Sequence, residues 1–333
     1  MSLRIASILQ RVFSVSLPAF CAVLMVLLPL QARSAWPDKP VRIVVPFAPG
    51  GAPDLTARAL APALQKHWGQ PVVIENRAGA GATIGTAAVA NAAGDGYTLL
   101  LGSAANAIDS VIQKKLPYVF ERDLVPVLLV AEVPGVVVVP KALGINSLQE
   151  LLAYARAKPP ETLSYGSPGF GTSVHLAGEL FDSMAGISMV HVPYKGAAPA
   201  ITDLLGLRLQ VMFPALAAAQ THIQSGALKV LAVTTRTRTA LAPEVPTVSE
   251  LGLPGYEVGG WLGLFAPKGV PAEVLGRIQR GLEDALKDNT TRQSLARQGV
   301  EANPASAAVL RERVDSDTRR WAQLIKTRKI EPQ

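Results

Sequence analysis

Residues 41–54 read VRIVVPFAPGGAPD, and this stretch decides the fold. Val41, Ile43, Val44 and Val45 form a short apolar run of the kind that fills a buried strand. Pro49-Gly50-Gly51 breaks it, and residues 55–67 read as a helix. Pro53 suits a first helical position, where its missing N–H costs nothing. Asp54 falls in the first turn, where a carboxylate gains about 0.3–1 kcal/mol from the helix dipole. A strand that passes through a glycine turn into a helix aims backbone N–H groups and a positive helix end at an anion. The same pattern also serves as a plain strand-to-helix turn. It lacks the Lys-Ser/Thr of a Walker A loop and the three glycines of a dinucleotide turn.

On the C-terminal side of this stretch, strand-like runs alternate with helical stretches. Strands are expected over 41–46, 72–75, 97–102, 125–130, 135–140, 163–166, 189–193, 209–213, 229–234 and 260–267. Helices are expected over 55–67, 84–93, 147–157, 172–185, 197–205, from 271 onward, 290–298 and 305–326. Ser147 with Glu150 three residues on completes a capping-box pattern. The alternation predicts an α/β fold with largely parallel sheets. Short Pro/Gly segments at 132–135 and 252–255 are the candidate boundaries. They divide the chain into a discontinuous first domain, 35–133 plus 255–333, and a second domain, 134–254. Ligands of such proteins sit between domains, at the carboxyl ends of strands.

Arg4 and Arg11, an apolar stretch over 12–30 and the small residues of Ala32-Arg33-Ser34-Ala35 predict a cleaved secretory signal over 1–34. Pro18 and Pro29 interrupt the apolar stretch and no charged stop-transfer cluster follows, which argues against a membrane anchor. Cys21 is the single cysteine and lies in this leader, so the mature chain is expected to have no disulfide and no thiolate. Phe20 before it argues against a lipidated cysteine. The formal charge is +7, of which the leader arginines Arg4, Arg11 and Arg33 carry three, leaving +4. The basic residues are scattered, except for Arg319, Arg320, Lys326, Arg328 and Lys329, which are expected to form a solvated helix face. With no basic stripe interleaved with aromatics, no nucleic-acid partner is expected. The four histidines, His67, His175, His191 and His222, have no ligand spacing, so no metal and no cofactor is expected.

Three further turns carry chemistry. NRAGAGATIG (76–85) resembles a dinucleotide turn, but Gly85 is one position too late; close helix packing through Gly and Ala accounts for it. YGSPGFGTSVH (165–175) is a second strand-to-helix glycine turn, in which Ser167, Thr172 and Ser173 offer hydroxyls and Thr172 or Ser173 can cap the helix. Ser173 and His175 are two apart on a helix and do not face each other, and no nucleophile elbow surrounds them, so an exported hydrolase is a weak reading. HVPYKGA (191–197) opens a strand into a helix, with Tyr194 and Lys195 placed to close over a ligand or to lie in solvent. Glu179 and Asp182 share a helix face but make no hydrolytic pair.

Together these segments resemble the Bug receptors, the extracytoplasmic solute-binding proteins of tripartite tricarboxylate transporters. The resemblance runs through PFAPGGAPD (46–54), ENRAGAGATIG (75–85), DGYTLL (95–100), YGSPGFGTSVHLAGELF (165–181), VPYKGAAPAITDLL (192–205), LAPEVPTVSELGLPGYE (241–257) and WLGLFAPKGVP (261–271). It implies a periplasmic-binding-protein type II-like α/β fold whose two domains close on a small carboxylate, with no catalytic activity. It also implies a periplasmic monomer that delivers its ligand to membrane permease subunits; a ligand sensor for a membrane kinase is the alternative output. Carried over by matching segment, Gly50 and Gly51 hold the carboxylate from the first domain, with a hydroxyl from Ser103. Ser167, Gly171 and Thr172 hold it from the second, with Tyr194, Lys195 and Gly196 nearby. Asp54 matches a family acid that faces a ligand ammonium or caps the helix. After LQVMF the family places an acid, whereas this chain has Pro214-Ala215. That departure disfavours an ammonium-bearing ligand and shifts the weight of the Asp54 reading to the helix start.

Overall fold

The computed structural model describes residues 36–113 and 115–330; the expected leader lies outside the described residues. Residues 36–38 form a short bend, and the elements below belong to the compact unit that begins at Lys39.

The chain opens with β1 (Val41–Val45), α1 (Ala52–Trp68), β2 (Val72–Asn76), α2 (Thr83–Ala90), β3 (Thr98–Ser103), α3 (Ala104–Ile112), α4 (Phe120–Asp123) and β4 (Leu124–Val133). It then crosses to β5 (Val136–Pro140), α5 (Leu148–Arg156), β6 (Ser164–Ser167), α6 (Ser173–Ala185), β7 (Val190–Pro193), α7 (Ala197–Leu205), β8 (Val211–Met212), α8 (Leu216–Gln224) and β9 (Leu228–Val233). It returns through β10 (Gly260–Pro267), α9 (Ala272–Lys287), α10 (Asn289–Arg297), β11 (Glu301–Ser306) and α11 (Ala307–Arg328). The first sheet runs β11-β4-β10-β3-β1-β2 and the second β7-β6-β8-β5-β9. One sheet therefore takes strands from both ends of the chain and the other takes the middle.

The expectation of largely parallel sheets needs correction. β1 pairs in parallel with β2 and β3, and β6 with β7 and β8. β10, however, is antiparallel to both β3 and β4, and β11 is antiparallel to β4. In the second sheet β5 is antiparallel to β8 and β9. The reason is the crossing itself. β4 and β10 leave and re-enter the first sheet at one end, so they must run in opposite directions. Parallel pairing survives where a helix carries the chain back; β1 and β3, inside the first sheet, are largely buried, whereas β2 and β7, at the sheet edges, are half exposed. Arg42 is the one exposed residue of β1, and all of β5 is buried.

Helices α3, α4 and α8 and strand β11 were not expected. α3 follows β3 with no Gly or Pro between them: Ser103 ends the strand and caps the helix, its Oγ accepting from the Ala105 amide at 3.3 Å. The Asn106 side chain accepts in return from the Ser103 amide at 2.8 Å. Ile108 and Ile112 on α3 join the core of the second sheet with Val137, Leu176 and Phe213. The solvated face expected near the C-terminus also needs correction. Arg319, Lys326 and Lys329 are exposed, but Arg320 reaches Glu257 and Asp317, and Arg328 binds Glu179 at 2.7 Å. α11 buries Trp321, Leu324 and Ile325, and that packing carries both arginines to carboxylates.

Close approach between α6 and β6 is set by Gly178. A Cβ there would lie 2.2 Å from Cε2 of Tyr165, a fully buried ring whose hydroxyl donates to Glu179 Oε1 at 2.8 Å. Gly178→Ala gains up to about 1 kcal/mol of helix propensity. It forces a ring with no room to move, which costs about 1–3 kcal/mol. Net destabilisation is expected in urea unfolding; unchanged or raised stability would show that the ring yields.

Candidate functional site

The first turn is built from β1 outward. Pro46 ends the buried strand, and Gly50 takes φ +90, a conformation that L side chains avoid. The Gly50 amide donates to Asp54 Oδ2 at 2.9 Å, and Arg58 Nε donates to both oxygens of the same carboxylate at 3.0 and 3.1 Å. Arg58 Nη2 continues to Asn76 Oδ1 at 3.1 Å, and Asn76 Nδ2 returns to the Phe47 carbonyl at 3.1 Å. The turn is thus braced from beneath by Asp54, Arg58 and Asn76. Burial pushes the Asp54 carboxyl up, but the guanidinium of Arg58, the Gly50 amide and Asn76 outweigh it and hold it below its ordinary value. Its lone pairs are committed to its own turn. No side chain caps α1. Its leading amides, Gly51 and Ala52 among them, have no intrahelical partner by construction.

The second turn, 167–172, mirrors the first at the end of β6. Gly169 and Gly171 take φ +143 and +71. Thr172 caps α6: its Oγ1 accepts from the His175 amide at 3.3 Å and donates to the Gly169 carbonyl at 2.8 Å. The Gly171 amide donates to His175 Nδ1 at 3.1 Å, so that nitrogen is unprotonated and the proton lies on Nε2, 3.8 Å from Glu179 Oε1. Burial pulls the His175 pKa down while Glu179 opposes it. Ser167 is fully buried, and its hydroxyl meets His191 Nε2 at 2.6 Å and the Gly169 carbonyl at 2.9 Å. His191 stacks on His175 with centroids 4.0 Å apart, and burial first, then His175, pulls it down to about 4. Both rings are neutral at pH 7. Phe170, 57% exposed, stands edge-on to both.

Ser173 and His175 are not brought together as nucleophile and base. The serine that meets a histidine is Ser167. Its oxygen is out of solvent, and no acid orients His191, whose Nδ1 has no partner among the described residues. Tyr194 donates to Asp203 at 2.8 Å, and burial and Asp203 push its hydroxyl up to about 12, so its hydroxyl serves α7 while the ring lines Gly166. Lys195 is exposed, and Gly196 starts α7 at φ +115 with no side-chain cap. Pro214 and Ala215 are stitched to the crossing segment: the Pro214 carbonyl accepts from Val136 at 2.9 Å, and Ala215 bridges Gly135.

α3 links the turns. A Cβ on Gly171 would lie 2.9 Å from Ile112 Cδ1 at the end of α3. One turn earlier, Asp109 presses on Gly81 of the 79–82 turn, 2.9 Å from where a Cβ would stand. α2, which follows that turn, holds Gly85 so close to the root of the first glycine turn that a Cβ there would lie 2.8 Å from Pro46. The reading of Gly85 as a close-packing glycine therefore holds. The turns after β2 and β6 thus meet α3, which starts at the end of β3, and the turn after β1 is reached through α2; α3 was not legible in the sequence, where its signal was Ser103 with Asn106 three residues on. A groove of about 870 Å³ between α1 and α10 is open, and Asp284 and Asp288 offset part of the charge of its lysines and arginines. Among the described residues no group of three or more metal-ligating side chains gathers, and no helix is long and apolar enough to cross a membrane.

The Asp54 bracing predicts a pH signature. A carboxylate held below its unfolded value contributes stability above that value and loses it as pH falls. Asp54→Asn is expected to cost about 1–2 kcal/mol at pH 7, since Arg58 is half exposed. In urea unfolding the gap to the parent should close as pH falls below about 4; a gap constant from pH 7 to pH 3 would contradict the bracing.

The profile described as Tripartite tricarboxylate transporter family receptor matches residues 56–330. Protein BugT of Bordetella pertussis is 37% identical over 297 residues, covering 89% of this chain and 91% of its own. Among solved structures, an R. palustris protein with adipate superposes at TM-score 0.75 with 34% identity, covering 90% of this chain and all of that one. MatC from Rhodopseudomonas palustris, with bound malate, superposes at 0.71 with 31% identity, covering 87% and all, respectively.

Proposed function

The chain belongs to the tripartite tricarboxylate transporter receptor family, and from that premise we propose that it captures a small carboxylate in the periplasm and delivers it to a membrane transporter. The family is one of solute-binding receptors rather than enzymes. The observation that carries the proposal is the linking of two uncapped or glycine-built helix starts through α2 and α3. One carboxylate placed between the 49–52 and 169–173 turns receives backbone N–H groups and two positive helix ends. Gly50 and Gly51 shape the first cradle, Gly171 and Thr172 the second, with Lys195 and Gly196 at the rim. Ser103 acts by starting α3, Ser167 and Tyr194 by holding the second cradle, and Asp54 by bracing the first. Pro214 and Ala215 belong to the crossing segment. The malate and adipate bound by two relatives point to a small dicarboxylate for this chain.

Micromolar affinity requires about −8 kcal/mol, and hydrogen bonds to a charged group contribute about 1.5–3 kcal/mol each, so several of them with apolar contact from Phe170 suffice after ordering costs. Each sheet with its helices acts as one lobe, 35–133 plus 255–333 and 134–254. The ligand favours the closed state because only that state offers it both turns.

Isothermal titration calorimetry against mono-, di- and tricarboxylates, with malate and adipate included, is expected to find micromolar binding to at least one. Gly171→Val, which puts a branched side chain against Ile112 at positive φ, should weaken it tenfold or more. Binding of none of the panel, or full affinity in Gly171→Val, would overturn the assignment.

A further inference from the structure

One imidazole holds the second cradle in shape. His175 is 2% exposed, and its Nδ1 accepts from the Gly171 amide at 3.1 Å. A ring nitrogen that accepts carries no proton, so this bond exists only while the ring is neutral. The ring has no room to turn away: His191 is stacked on it with centroids 4.0 Å apart, and Phe170 stands edge-on at 5.3 Å. Gly171 takes φ +71, and a Cβ on it would lie 2.9 Å from Ile112 Cδ1 of α3. Thr172 follows directly, caps α6 by accepting from the His175 amide at 3.3 Å and donates to the Gly169 carbonyl at 2.8 Å. His175 thus fixes the turn whose next amides, those of Ser173 and Val174, start α6 with no intrahelical partner.

The titratable and charged groups facing the ring are His191 of β7, Tyr165 of β6 and Glu179 of α6, with Asp182 of α6 and Arg328 of α11 behind them. On α3, Asp109 turns to Gly81, and Ile112 is the residue that meets the turn. Glu179 stands 3.8 Å from His175 Nε2, but it already takes the Tyr165 hydroxyl at 2.8 Å and Arg328 at 2.7 Å. Burial holds His175 below its ordinary value while Glu179 opposes it, and burial with His175 holds His191 at about 4.

We propose that His175 is a positioning residue for capture: its neutral ring holds the Gly171 amide, and with it the α6 cradle, and a proton on Nδ1 opens that cradle. Two N–H donors would then face each other across 3.1 Å, and since the packed ring cannot yield, the glycine turn does. The Ser173 and Val174 amides move with the turn, away from a carboxylate held by the first cradle. This rests on the capture reading, in which the 169–173 turn supplies half of the site. The neutral form is full above its ordinary value of 6.5 and is lost as pH falls through the lowered value, so affinity falls in acid.

The test is calorimetry of benzoate, malate, adipate and citrate at pH 7.5 and pH 5 on the parent, His175→Asn and His175→Leu, beside 15N NMR of the free parent. Asn Oδ1 falls where His Nδ1 lies, so His175→Asn keeps an acceptor that does not titrate, and His175→Leu has none. At pH 7.5 the acid that binds is expected to bind His175→Asn about fivefold or more tighter than His175→Leu, the worth of one hydrogen bond. Acidification protonates the acids themselves equally for every protein, so the readout is parent against His175→Asn. That ratio of affinities should fall about threefold or more from pH 7.5 to pH 5. In the free parent, His175 Nδ1 is expected unprotonated at pH 7.5, and the Gly171 amide resonance should shift as the ring takes up its proton. A ratio that does not change with pH, parent affinity that rises in acid because the imidazolium attracts the ligand, or a Gly171 resonance blind to His175 titration would each overturn the inference while carboxylate capture stands. Failure of all four acids to bind would remove both together.

Discussion

Everything in this molecule depends on two chain crossings held side by side by buried charge. The chain passes between sheets at 133–136 and again near 258–260. Thr234 ties the two passages: its amide donates to the Gly135 carbonyl at 2.9 Å, and the Val258 amide donates to its own carbonyl at 2.7 Å. α11 then lays Arg313, Asp317 and Arg320 against them. Arg313 and Arg320 pair with Glu257, and Trp261 Nε1 donates to Asp317 at 2.8 Å. Burial pushes Glu132 up to about 7 even with Arg313 at 4.0 Å. Ion pairs at this depth contribute little net stability against apolar replacements, but removing one partner leaves an uncompensated charge. Their effect is to fix where the crossings lie, and so to fix which strand ends can share a site.

From that arrangement the site follows. Parallel strands deliver their turns to one side, and α3, anchored in the first sheet by Ser103 and in the second sheet's core by Ile108 and Ile112, connects them. Glycine is needed where neighbours approach, as at Gly171 on Ile112 and Gly81 on Asp109. Arg328 closes the back of α6 on Glu179, and Glu179 in turn takes the Tyr165 hydroxyl. Side-chain hydrogen bonds within each turn leave the helix-start amides as the groups on offer. In the proposed capture, a backbone cradle of this kind reads shape and negative charge and little else, so selectivity falls to side chains at its edge, such as Phe170.

What was legible in the sequence was local. The run 41–54 disclosed strand, turn and helix because apolar period, glycine and proline sit within fourteen positions of each other. The turn at 165–175 was legible for the same reason. What was hidden was non-local. Arg328 meets Glu179 from 149 residues away, and Ser167 meets His191 from 24. α3 was hidden because AANAIDSVI follows a strand with no breaker, and Asp109 because its neighbour Gly81 belongs to a different turn. The direction of β10 was hidden because an apolar strand carries no sign of which end it enters by.

A crystal structure grown with adipate tests the carboxylate cleft most directly. One carboxylate is expected between the 49–52 and 169–173 turns, about 3 Å from backbone amides of both. Adipate lodged instead in the groove between α1 and α10, beside Lys66 and Arg297, would contradict it.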